Sequence, residues 1–431
     1  MNINMRKIAF FMLMIFCAAN ISAQTEPANY NTAVNKFKQF YNNDQPDSVF
    51  SMFSQEMKAA LPLDNWTATT KQLKTQLGNL NKTEFVKFEA PLAQYEATFQ
   101  NAVFMLNVGL NNKNQFIGLR LTPASNTPAA LVAPDPAVTE SAITYKSISG
   151  TIYGTLTMPK SATGKIPVVL IISDSGPIDR DGNKPAGLNA NTYKLLAYAL
   201  GNAGIASVRY DKRMIGQSRG TEKEKDLRFE DYSDDAVGFI NMLNDDDRFS
   251  KVIVAGHGEG SLAGMIACHD EPVKAFISLA GTAEPGAKIL EDQMKSQPGF
   301  ASEGLQKVLD SLKRGKINPN VDPSLYGVLR PSIQYYIMSW CRYDPTVQIR
   351  QVKIPILIVQ GTTDMQVSMD NAMKLKSAKS GATLVIIHGM SHILKDGPAD
   401  KDKNLATYTD PNLPLNTEVV TAIIDFVKKQ G

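Results

Sequence analysis

The chain has 431 residues, 43% hydrophobic and 20% charged, with a formal net charge of +3. That length allows two or three domains, and the near-balanced charge argues against nucleic acid or an anionic membrane surface as a partner. Three cysteines and four histidines without a cluster argue against a structural zinc site, and the sequence calls for no metal and no cofactor.

Residues 1–23 read as a secretory signal peptide: Arg6 and Lys7, an apolar run from Ile8 to Ala19, then the small-residue ending Ile21-Ser22-Ala23. The run is too short to span a bilayer, and bulky Phe16 beside Cys17 argues against lipoprotein processing. Removal of the segment leaves a formal charge of +1 and two cysteines, Cys268 and Cys341, expected as separate buried thiols. The mature chain is therefore expected in the periplasm or outside the cell, without stable membrane insertion.

Residues 27–122 carry helical patterns at Asn29–Tyr41, Asp47–Ala60 and Trp66–Leu77. Strand patterns follow at Glu84–Glu89, Ala93–Gln100, Ala102–Leu110 and Gln115–Leu121, with a hairpin turn at Asn111-Asn112-Lys113-Asn114. Helices followed by an antiparallel sheet make a small α+β domain. It resembles, in pattern only, the cone-like domain of the nuclear-transport-factor-like class. Such a domain packs or dimerises, or binds a ligand in its cone; it has no histidine. A Pro/Ala-rich linker occupies 123–139.

From residue 140 the rhythm changes to strands alternating with helices, which predicts an α/β domain with a mostly parallel sheet covered on both faces. Strands are expected at Ile143–Ile148, Thr151–Met158, Val168–Ile172, Ala206–Tyr210, Val252–Ala255, Ala275–Leu279, Ile354–Val359 and Leu384–Ile387. Helices are expected at Tyr193–Ala203, Tyr232–Leu243, Glu259–Cys268 and Thr417–Lys429, and a helical insertion at about 285–352 has the length of a lid.

Directly after the strand Val252–Ala255 stands Gly256-His257-Gly258-Glu259-Gly260. A strand, G-x-S-x-G and a helix form a nucleophile elbow; here both outer glycines are present and Gly258 replaces the serine. Together with Ser175-Gly176-Pro177-Ile178-Asp179-Arg180-Asp181-Gly182-Asn183 and Arg209-Tyr210-Asp211-Lys212-Arg213, the region resembles the α/β-hydrolase superfamily, in its exported serine-aminopeptidase-like and carboxylesterase-like branch. The resemblance implies a triad in the order Ser, Asp, His. Its later members would be Asp364, just past the strand Ile354–Val359, and His392 in Gly389-Met390-Ser391-His392. It also implies an oxyanion hole made by the backbone N–H groups of Glu259 and Ser175.

Two positions depart further from that pattern. Asp174 stands where the branch has glycine, and its charge would oppose an oxyanion unless it turns away or pairs with Arg180. Met214 also replaces a glycine. Asp211, Lys212 and Arg213 read as a structural ion network, and Ser261 lies too deep in its helix to substitute for the nucleophile.

Without a serine the triad has no nucleophile, which predicts a protein inactive or strongly impaired as a serine hydrolase. The alternatives are a slow carboxylesterase using water activated by His392 and Asp364, and a non-catalytic binding protein acting through the N-terminal domain. The aromatic lid suggests a small-molecule ester or acyl compound as the ligand, with a peptide also compatible.

Overall fold

A computed structural model describes residues 25–101, 103–123, 132–184, 188–218, 223–295, 302–322 and 325–430. The expected signal peptide and the middle of the linker lie outside these residues.

In the N-terminal domain, helices α1 (Ala28–Asn42), α2 (Pro46–Ser51), α3 (Gln55–Ala60) and α4 (Leu63–Leu77) precede an antiparallel sheet. Its strands β1 (Leu80–Glu89), β2 (Leu92–Phe99), β3 (Val103–Leu110) and β4 (Phe116–Pro123) pair in sequence order. The helix expected over 47–60 is two helices. Phe53 leaves the helical path to bridge Phe116, and Ser54 caps α3 by accepting from the Met57 N–H. Tyr30, Phe37, Phe53, Trp66, Tyr95 and Phe116 fill an aromatic core of this domain's own.

The larger domain begins with β5 (Val138–Lys146) and β6 (Thr151–Pro159), an antiparallel pair, then β7 (Ile166–Ile172). The small hairpin β8 (Asn183–Lys184) and β9 (Leu188–Asn189) leads to α5 (Thr192–Asn202), β10 (Ala206–Tyr210), α6 (Glu230–Asn244), β11 (Phe249–His257), α7 (Glu259–Ala267) and β12 (Ala275–Leu279). The insertion follows as α8 (Gly286–Lys295), α9 (Ser302–Lys313), α10 (Tyr326–Leu329), α11 (Gln334–Trp340) and α12 (Pro345–Gln351). The chain closes with β13 (Ile356–Gly361), α13 (Met369–Ala378), β14 (Thr383–Ile387), α14 (Lys401–Thr407) and α15 (Thr417–Lys429). The linker is shorter than expected, because Val138 is already buried in β5.

Eight strands form one sheet in the order β14-β13-β12-β11-β7-β10-β6-β5, parallel from β14 to β10. The period of two decides what covers it. Val168, Leu170, Val252, Val254, Ile356 and Ile358 face the layer containing α6, α7 and the insertion. Val169, Ile171, Ile253, Ala255, Leu357 and Val359 face α5 and α15. From β7 the chain steps outward to β10 and then back across to β11, so the order reverses beside β7. A crevice opens at such a switch point beyond the carboxyl ends of the strands.

Candidate functional site

Four strand ends deliver the site. β7 runs into Ser173 and Asp174, β11 into Gly258, β13 into Asp364 and β14 into His392. The elbow is built as its glycines require. A Cβ on Gly256 would lie 2.2 Å from the Gly260 carbonyl oxygen, and one on Gly260 would lie 2.5 Å from those of Ile172 and Ser173. Gly258 starts α7 at φ 52° and ψ −116°, a conformation costing a side-chain-bearing residue about 1–3 kcal/mol.

The space beside Gly258 is filled. A Cβ at position 258 would lie 1.9 Å from Asp174 Oδ1, so the Asp174 carboxylate stands where a side chain at this position would project. Oδ1 accepts the Glu259 N–H at 2.9 Å, and Oδ2 lies 3.0 Å from His392 Nε2. His392 Nδ1 in turn lies 2.8 Å from Asp364 Oδ2. Asp364 Oδ1 accepts the N–H groups of Gln366 and Val367, and Gln360 Nε2 donates to Oδ2. Asp364 and His392 thus meet as expected, and the third partner is Asp174.

The charges follow from this geometry. Burial opposes a charge on His392, but Asp364 and Asp174 outweigh it and raise its pKa to about 10. Burial would likewise raise Asp174, yet the hydrogen bond and charge of His392 hold it far below the carboxylate range, and Asp364 is also depressed. The resting site is a carboxylate–imidazolium–carboxylate row.

A second row ties its walls together. The Asp174 N–H donates to Tyr193 Oη, which lies 2.8 Å from His257 Nδ1, and His257 Nε2 lies 2.8 Å from the His392 carbonyl oxygen. With Tyr193 Oη already accepting, its proton goes to His257 Nδ1 and the His257 proton sits on Nε2. Burial and the neighbouring His392 keep His257 neutral, with its pKa lowered to about 4. Asp174, His257 and His392 present donor atoms within 4.8 Å of one another, but each already has a protein partner.

Several expectations are corrected here. Asp174 neither turns away nor pairs with Arg180; Arg180 is held by Asp211 at 2.6 Å. The Glu259 N–H expected to line an open oxyanion hole is taken by Asp174, while Ser175, next in the chain, is exposed. Arg213 binds Asp235 and Asp231 in an ion network of the kind expected for it, and Arg209 likewise binds Asp181 and Glu140. Lys212 differs. Its buried ammonium donates to the Asp174 carbonyl oxygen at 2.5 Å and lies 3.8 Å from Glu259, whose carboxyl also bonds Tyr336 of the insertion. Ser261 faces Ser278 at 2.8 Å, away from the site. Met214 has a left-handed φ of 66°, the conformation for which glycine is favoured. Cys268 and Cys341 are free thiols. Within the insertion, Leu325, Leu329, Tyr336, Ile337 and Trp340 are buried in the core on this face of the sheet, and Tyr335 is exposed.

Sequence reasoning gave no site role to Tyr193, His257 or Lys212, although His257 and Lys212 stand inside the quoted motifs. It noted Asp174 and Gly258 as separate departures, and only the fold shows that they fit one another. Away from this site, a cavity of about 300 Å³ in the N-terminal domain is lined by Tyr41, Pro46, Val49, Thr70 and Lys74 among others.

Residues 186–396 match the family described as serine aminopeptidase, S33. That span contains the elbow, the Asp364 loop and all but the last residues of the His392 loop, on a sheet whose order reverses beside β7. The larger domain has the α/β-hydrolase fold. Residues 34–119 match a family described only as a protein of unknown function, DUF3887.

No curated protein matches the chain. Solved structures similar to it include Est1E from Butyrivibrio proteoclasticus, 19% identical over 67% of this chain and 98% of that one, with a TM-score of 0.47. A thermophilic esterase from Thermogutta terrifontis is 15% identical over 68% and 99%, with a TM-score of 0.41. A puromycin-hydrolyzing peptidase from Mycobacterium tuberculosis is 15% identical over 78% and 46%, with a TM-score of 0.46. The sheet order and the family match, rather than these likenesses, carry the assignment of the α/β-hydrolase domain.

Proposed function

We propose that this is an exported α/β-hydrolase-fold protein that does not perform serine-type acyl transfer, because a carboxylate from the opposite loop has replaced the nucleophile. The observation that carries the reading is the position of Asp174 Oδ1, 1.9 Å from where a Cβ of residue 258 would stand. A serine there would collide with Asp174, and the Glu259 N–H that would stabilise a tetrahedral oxyanion is already bonded. The same contact weighs against water activated by His392 in the space of the lost side chain, since Asp174 Oδ2 already lies against His392 Nε2. The ligand class remains a small organic molecule entering under the insertion. The signal sequence supports export, and amino-terminal sequencing of the secreted protein should then begin at Gln24.

The test is restoration by pairs. The parent and Gly258→Ser are both expected to leave short-chain p-nitrophenyl esters untouched and to escape labelling by a fluorophosphonate. Asp174→Gly/Gly258→Ser frees the hole and supplies the hydroxyl, so it should label and hydrolyse, by at least about 10²-fold over the parent. Activity of the parent that survives Asp174→Asn, or labelling of Gly258→Ser alone, would overturn the role given to Asp174.

A further inference from the structure

The reading that Asp174 has taken the serine's place leaves open what a carboxylate in that position can do, and the geometry constrains the answer. A carboxylate that attacks an acyl carbon forms an anhydride, which is less stable than the ester or amide it came from. At a saturated carbon the same oxygen forms an ordinary ester, which requires only an electrophile with a leaving group. The two oxygens of Asp174 are already differentiated: Oδ1 is fixed on the Glu259 N–H, and Oδ2 points at His392. Solvent reaches this group first. The Asp174 side chain keeps 10% of its surface exposed, against 3% for His392 and 1% for Asp364.

We propose that Asp174 is itself a nucleophile and that the site opens epoxides by forming an ester on Asp174, which His392 and Asp364 then hydrolyse to a diol. In the first step Oδ2 attacks one ring carbon and a new C–O bond forms. The carbon's bond to the ring oxygen breaks, and that oxygen takes the proton from His392 Nε2, whose former partner Oδ2 is now an ester oxygen. In the second step the neutral His392, held by Asp364, removes a proton from water as it adds to the Asp174 carboxyl carbon. The negative charge develops on Oδ1, on which the Glu259 N–H is already in place. Collapse breaks the bond from the Asp174 carboxyl carbon to Oδ2, and the departing oxygen takes a proton from His392. The carboxylic acid left on Asp174 returns a proton to His392, and the resting row is restored. One water is consumed, and no oxidant, reductant or metal is required.

The proton count selects the epoxide. His392 rests as a cation between two carboxylates, so it becomes a base only after giving its proton away. An epoxide oxygen accepts that proton on opening and stays attached to the product. A halide or sulfonate leaves as a weak base and takes no proton, which would strand His392 in the charged form.

The experiment uses the full chain with styrene oxide in heavy-oxygen water, followed by peptide mapping. Over several turnovers the peptide carrying Asp174 should gain heavy oxygen while that carrying Asp364 does not, phenylethanediol should accumulate, and Asp174→Asn should lose diol formation while still unfolding in one cooperative transition. Absence of diol from the parent, or diol without label in Asp174, overturns the proposal, the second outcome by showing direct attack of water. The fluorophosphonate result on Asp174→Gly/Gly258→Ser is read separately. If that variant labels while styrene oxide is untouched, Asp174 occupies the serine's place without acting as a nucleophile.

Discussion

At the scale of single residues, the site behaves as one titrating unit and couples pH to stability. Buried between two carboxylates, His392 has a pKa raised to about 10, against roughly 6.5 for a histidine in an unfolded chain. A group that binds its proton more tightly when folded contributes stability that is complete below the unfolded pKa and is lost as the pH rises through the folded one. The loss therefore runs from about pH 6.5 upward to about pH 10 and amounts to several kcal/mol. Asp174 and Asp364 have the opposite sign: their depressed pKa values contribute stability above about pH 4 that is lost on acidification. His257, lowered to about 4, adds to the acid loss because the unfolded chain protonates it first. Urea denaturation of the parent across pH 7 to 10 should show a falling alkaline limb, and Asp174→Asn should flatten it. Superimposable limbs would show that Asp174 does not hold the charge on His392.

At the scale of elements, the elbow is rigid because backbone meets backbone. Gly260 is the sharpest case, since its Cβ position lies 2.5 Å from two carbonyl oxygens at the end of β7, and peptide groups cannot rotate aside as a side chain would. Gly260→Ala is expected to cost about 1–3 kcal/mol or more by urea denaturation, while Gly381→Ala, with open space around it, should be close to neutral. An equal effect at both positions would sink this account. The same contrast explains what was legible beforehand. Strands buried on both faces declare themselves as apolar runs, and Ala206–Tyr210 and Ala275–Leu279 have the expected bounds. The edge strand β5 is mostly exposed beyond Val138 and gives almost no such signal, so its first residues read as linker. Asp364 and His392 were found because each follows a strand in the required order. The contact between Asp174 and Gly258 was not, because it joins loops 84 positions apart that only the pairing of β7 with β11 brings together.

At the scale of the whole molecule, the hydrophobic cores are separate. The N-terminal core draws all its members from Tyr30 to Leu121, with the ring of Phe53 5.0 Å from Trp66 and that of Tyr41 5.7 Å from Phe99. The cores on the two faces of the large sheet begin only at Ile143. A unit of roughly 100 residues buries enough surface to fold alone, and aromatic pairs of this kind add about 0.5–1.5 kcal/mol each beyond area. Residues 25–123 expressed without the rest should therefore unfold cooperatively, with a calorimetric enthalpy of about 60–80 kcal/mol. Residues 132–431 should keep the pH dependence of the His392 row, because every partner of that row lies within them. If the short chain is unfolded by circular dichroism, or if the long one loses its alkaline limb, the two domains depend on one another for stability. The N-terminal domain would then be a structural part of the site.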